Sequence, residues 1–170
     1  MKKPRKPSTG GKNKRAGSSF EREVAKILSL WIYGKEAVIR RHPTSGSEKE
    51  YGQGADVSVF QPGYDQFNYF VEVKRGYKTD IFNARKQILE WYNTAKSKNK
   101  KNYPIWIIWK ILRQGIILAT DKPFKEVEEL FRIKDLFVYN LKDLTEKEFK
   151  KIINSKKSYR NKDSKKEKKK

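Results

Sequence analysis

Cysteine is absent from this chain of 170 residues. That excludes disulfides and thiolate metal sites, and it fits a reducing compartment. Long apolar runs are absent too. The strongest, Ile105 to Trp109, is far too short to cross a bilayer. The charged N-terminus has no apolar region after it, so it does not read as a secretory signal. Neither an amphipathic basic helix nor a lipidation motif is present. A cytoplasmic protein with no membrane partner is expected. Histidine occurs once, at His42. It could serve as a general base or a phosphate contact, but a polar residue ending a strand is the simpler expectation. No internal repeat is found.

Acidic residues are scarce relative to basic ones: 20 Asp and Glu against 41 Lys and Arg, a net charge of +21. Residues 1–15 carry seven basic residues and no acid, and residues 155–170 carry nine basic and two acidic. Two thirds of the excess therefore lies in two tails without apolar periodicity, which are expected to be a disordered basic arm and a disordered Lys-rich tail. The segment 16–154 remains as one domain, and a hydrophobic fraction of 36% suffices for its core. So basic a chain favours a polyanionic partner, through phosphate neutralisation that carries no sequence readout.

Phe20, Val24, Ile27, Leu28, Trp31 and Ile32 recur at helical spacing. Ser18 or Ser19 would cap that helix, Glu21 and Glu23 suit its first turn, and Gly34 ends it. Ala37 to His42 reads as a strand. The polar loop Pro43 to Gly54 follows, and then a hairpin is expected. Its first strand is Gly54 to Phe60, the turn includes Pro62-Gly63, and its second strand is Tyr69 to Arg75. Thr79 or Asp80 would cap a second helix, Ile81 to Ala95. Ile105 to Trp109 reads as a central strand buried on both faces, and Ile116 to Thr120 as its neighbour. A helix from Pro123 to about Phe131, a strand from Leu136 to Tyr139 and a helix capped by Asp143 or Thr145 and running to Ile153 complete the domain. The class is α/β, a central mixed sheet flanked by helices.

Glu72-Val73-Lys74 organises these elements. Strand alternation puts Glu72 and Lys74 on one face and Val71 and Val73 on the other. Taken alone, Glu-x-Lys is a common solvated pair. The expected hairpin changes its meaning by bringing Asp56 near Glu72. Two carboxylates and an amine can hold a hard divalent cation and manage charge at a phosphate. Lys74 would orient a water or stabilise the developing negative charge. Glu21 could reach the site from the first helix and hold one of the ion's waters.

Asp56 followed by Glu72-Val73-Lys74 resembles the PD-(D/E)XK nuclease signature, with Gly54-Ala55-Asp56 in place of the nominal Pro-Asp. The segment Gly17 to Glu23, with Val38-Ile39-Arg40 after it, looks like the archaeal-type Holliday junction resolvases, which also occur in viruses. The resemblance covers roughly residues 16–120. It implies a restriction-endonuclease-like αβββαβ core, with the last α-β-α segment as an addition. It further implies catalytic Glu21, Asp56, Glu72 and Lys74, with Mg²⁺ (or Mn²⁺ as a substitute) held by Asp56, Glu72 and Glu21. Arg22 and Arg40 would contact DNA or support the site, with Arg41 as the alternative to Arg40. Lys49 and Arg75 are further candidate DNA contacts.

The implied partners are branched double-stranded DNA and a second copy of the chain, in the host cytoplasm if the protein is viral. The implied activity is paired nicking of opposing strands at a four-way junction. A restriction-like or flap-type endonuclease of the same fold and a non-catalytic basic nucleic-acid-binding protein are the alternatives. Gln87, with Trp91 or Tyr92, could flank the site, although helix surface and core are the simpler roles. Trp106 and Trp109 could stack on bases, but core packing is the stronger expectation.

Overall fold

A computed structural model describes residues 9–42, 55–59, 61–64, 67–75, 84–111, 115–125 and 127–144, with 9–15 described by backbone alone. The elements in chain order are α1 (Thr9–Tyr33), β1 (Ile39–Arg41), β2 (Val57–Val59), β3 (Phe70–Arg75), α2 (Arg85–Lys98), β4 (Ile105–Ile111), β5 (Gly115–Thr120), β6 (Phe131–Ile133) and β7 (Leu136–Asn140). The order α-β-β-β-α-β is the expected core, and the architecture is compatible with the restriction-endonuclease-like fold. Five strands form one mixed sheet in the order β3-β4-β5-β7-β6, while β1 and β2 form a separate antiparallel pair. β3 and β4 run parallel, with Glu72 opposite Ile107 and Lys74 opposite Trp109.

β4 has both faces buried, as its unbroken apolar run predicts. On one face Trp106 and Ile108 join Val71, Val73 and the α1 residues Phe20, Val24 and Leu28. On the other, Ile105, Ile107 and Trp109 join Phe70 and the α2 residues Ile88 and Ala95. The two helices therefore cover opposite faces of the sheet. Trp106 packs against Tyr69 at 4.2 Å and Trp109 against Trp91 at 5.8 Å between ring centroids. Both indoles are core, not base-stacking platforms.

Four expectations need correction. α1 begins at Thr9, ahead of Ser18 and Ser19, so the end of the basic arm is helical. β2 pairs with β1, through Ile39↔Val59 and Arg41↔Val57, and does not form a hairpin ladder with β3. Among the described residues its hydrogen bonds to β3 come from Asp56, the residue just before it, whose side chain takes a backbone N–H that a neighbouring strand's carbonyl would otherwise accept. The helix expected from Pro123 to Phe131 is absent among the described residues. There Leu130 N–H donates to Val138 O at 2.8 Å, and Phe131 starts a strand paired with β7. Phe124 packs edge-on against Tyr139 at 5.2 Å. Among the described residues the C-terminal segment is therefore β-β with a helical turn at 141–144, so a strand replaces the first helix of the expected α-β-α. The expected caps Thr79 and Asp80, the loop around Lys49, and most of the helix running to Ile153 lie outside the described residues.

One buried hydroxyl sets the path from α1 into β1. Ser29 Oγ donates to Lys35 O at 2.7 Å and accepts from the N–H of Val38 at 2.8 Å and of Ile39 at 3.2 Å. Gly34, at φ 66°, ends α1, and its N–H donates to Leu30 O at 2.9 Å, as a left-handed residue after a helix does. The turn that follows passes through Ala37 at φ 63°, a conformation that costs a non-glycine residue about 1 kcal/mol.

Candidate active site

β3 is an edge strand of the sheet, and its outer edge carries the site. Asp56 docks there by two hydrogen bonds. Its N–H donates to Val71 O at 2.9 Å, and its Oδ2 accepts from Val73 N at 2.7 Å. His42 N–H donates to Asp56 O at 2.8 Å, which ties the end of β1 to the same residue. The His42 side chain is buried, in keeping with a strand-end role.

Alternation along β3 works as the sequence implied. Val71 and Val73 enter the α1-side core, and Glu72 lies on the other face with its side chain only 6% exposed. Lys74 Nζ donates to Glu72 Oε1. Glu72 Oε2 is buried and has no hydrogen-bond partner among the described residues. An unsatisfied buried acceptor costs roughly 1–3 kcal/mol, more when charged, so this oxygen calls for a cation or a donor.

Glu21 comes in from α1. Its Oε2 accepts from Arg41 Nε, and its side chain is 14% exposed. Glu21 lies near enough to Asp56 to raise the pKa of that carboxyl. Asp56 is pushed up from 3.8 to about 7, first by burial and then by the negative charge of Glu72, with Glu21 adding a smaller push. The Val73 N–H and the Lys74 ammonium pull the other way. Desolvation and like charge both penalise the ionised form, and a divalent cation relieves both.

The donor set fits such an ion. Among the described residues no three His, Cys, Asp or Glu side chains form a ready-made metal cluster. Mg²⁺ does not need one, because it binds through one or two carboxylates and keeps several waters. Asp56 and Glu72 would provide those two carboxylates. Glu21, paired with Arg41, stands near Asp56.

The remaining candidates separate. Arg41, not Arg40, pairs with Glu21. Arg40 is exposed and its Nε donates to Ala37 O at 3.0 Å. Arg22 is exposed. Arg75 is exposed, and its Nη1 donates to Ala16 O at 3.1 Å. Lys49 lies outside the described residues. Gln87 is half-buried on α2, and the Tyr92 hydroxyl donates to Asp121 Oδ2 at 3.2 Å. The sequence reading missed the ion pair of Glu23 with Lys110. Its one visible signal was a lone charge in the apolar strand Ile105–Ile111.

A buried Asp on the edge of a strand that carries Glu-x-Lys, over a mixed sheet clasped by two helices, defines a centre of the PD-(D/E)XK nuclease type. The family model described as phage putative PDDEXK endonuclease matches residues 12–166. The chain belongs to that family. No curated protein and no solved structure gives a significant match. The family match runs past residue 120, through β6, β7 and most of the Lys-rich tail. The C-terminal segment therefore lies within the span of the family model. Among the described residues no helix is long and apolar enough to cross a membrane.

Proposed function

We propose that this chain is a Mg²⁺-dependent endodeoxyribonuclease that cuts branched duplex DNA, the four-way junction foremost, leaving 5′-phosphate and 3′-hydroxyl ends. The observation that carries the nuclease reading is Glu72, buried, with one oxygen on Lys74 and the other unsatisfied, beside a carboxyl that burial and like charge hold near neutral pKa. When bound, the cation would neutralise charge at the phosphate and make water acidic enough to attack. Asp56 and Glu72 would hold it. Lys74, held on Glu72, presents an ammonium to the negative charge that develops on the phosphate oxygens. Arg41 keeps the Glu21 carboxylate turned toward the site, where it can accept a proton.

The junction preference rests on the resemblance of Gly17 to Glu23 to the resolvases and on the arrival of Glu21 from α1 beside Asp56. Two copies related by a two-fold axis would cut opposing strands symmetrically. A restriction-like or flap-type enzyme is the second reading. It is favoured by the family match to residues 121–166, which the resolvase resemblance does not cover.

The test is cleavage of a labelled four-way junction and a matched linear duplex, in Mg²⁺, Mn²⁺ or EDTA, by the wild type and Glu72→Ala. Paired, metal-dependent nicks confined to the junction and lost in the variant support the resolvase reading. Cutting of both substrates moves the function to the broader endonuclease. Tight binding without cutting in any metal leaves a basic DNA-binding protein and refutes the catalytic assignment.

A further inference from the structure

Two contacts fasten α1 to the sheet on either side of Glu21, and neither involves the site carboxylates. Lys110, the only charged residue of β4, donates from Nζ to both oxygens of Glu23 at 2.7 and 2.8 Å. The same ammonium lies 5.4 Å from the centroid of the Phe20 ring. Phe20 is fully buried. Residues i and i+3 are neighbours on a helix surface, so Phe20 and Glu23 form one patch, and Lys110 grips it from below. Arg75 stands opposite Lys110 in the parallel ladder and holds Ala16 O at 3.1 Å. The two cations thus hold the helix at Ala16 and at Glu23, and Glu21 lies between them.

We propose that Lys110 is a positioning residue for Glu21, with Arg75 as the second tether. Its consequence for catalysis rests on the nuclease reading above. Lys110 does not face the site, because it shares the α1-side face of the sheet with Trp106 and Ile108, whereas Glu72 and Lys74 point the other way. Its lever is the rotation of α1. The helix is about 10 Å across with its side chains, so turning it by about 10° moves a carboxylate near its surface by about 1 Å. A displacement of that size can cost up to about a hundredfold in rate.

Lys110→Met keeps an aliphatic stem on Phe20 and removes the ion pair, and Lys110→Arg restores the cation. On whichever DNA substrate the wild type cuts, Lys110→Met lowers kcat by about tenfold, with KM unchanged and most of the loss recovered in Lys110→Arg. In a Glu21→Gln background Lys110→Met has no further effect. In a Glu72→Ala background the salt dependence of DNA binding stays the same. In the cation-free protein the Glu21 carboxyl-carbon resonance moves between wild type and Lys110→Met. An equal loss in both Glu21 backgrounds, or an unmoved Glu21 resonance, overturns the proposal. A salt slope lowered by about one makes Lys110 a phosphate contact instead. Failure of the wild type to cut any DNA refutes the nuclease reading, and the resonance then still decides whether Lys110 positions Glu21.

Discussion

Asp56→Asn is expected to stabilise the cation-free protein at alkaline pH while abolishing DNA cleavage. Asp56 is buried, and its carboxyl is raised from 3.8 to about 7. Between those values the unfolded chain has released the proton and the folded chain still holds it. Stability therefore falls as pH rises from about 4 to about 7 and levels off above that. A rise of roughly three units corresponds to about 4 kcal/mol at 1.36 kcal/mol per unit. Asparagine carries no charge to desolvate, and its carbonyl oxygen can still accept from Val73 N–H. Urea unfolding in EDTA at pH 5 and pH 8 reads the difference. The stability of the variant relative to wild type should rise by about 2–3 kcal/mol between the two. Adding Mg²⁺ at pH 8 should stabilise the wild type and leave the variant unmoved, since binding to the folded state alone stabilises it. A difference that does not change with pH, or a variant less stable than wild type at pH 8, would refute the reasoning.

Other expectations follow from single contacts. Ser29→Ala strands the buried N–H of Val38 and should cost about 2–3 kcal/mol; a loss under about 0.5 kcal/mol by urea unfolding would contradict the role given to Ser29. Ile108→Ala, at a fully buried position of β4, should cost about 2–5 kcal/mol by the cavity it leaves, measured the same way. Deleting residues 1–8 removes Lys2, Lys3, Arg5 and Lys6 and leaves α1 whole. It should lower the salt slope of DNA binding by up to about 3–4 without shifting the cut position, and a moved cut site would show that the arm reads more than phosphates.

Much of the site was legible because it lies on one strand. Residues 72 and 74 share a face by the period of any strand, whatever packs around it. The approach of Asp56 to that strand was also anticipated, but through a hairpin that does not form. Asp56 reaches β3 as a single docked residue, with its carboxylate standing in for a backbone acceptor. The misread helix at 123–131 shows the opposite failure. Phe124, Val127 and Phe131 recur at near-helical spacing, yet Phe124 N–H donates to the Tyr139 hydroxyl at 3.1 Å and Phe131 pairs with Val138. Long-range partners outweighed a weak local preference. The early start of α1 was hidden by Gly10, Gly11 and Gly17, which lower helix propensity without forbidding the helix.

Local chemistry alone determined that this chain has a basic exterior, a central strand with two dry faces, and a carboxylate and an amine side by side on one strand. Each of these follows from residue type and the period of two. What the tertiary structure decided is which distant charges meet. Arg41, and not Arg40, pairs with Glu21, because the β1–β2 register and the Ser29 lock set which residue of β1 looks toward α1. Asp56 titrates near neutrality because folding buries it beside Glu72. Lys110 grips Glu23 across 87 residues of chain. The energies of these pairings depend on separation in space and on exclusion of water, and neither is encoded in any short stretch of residues.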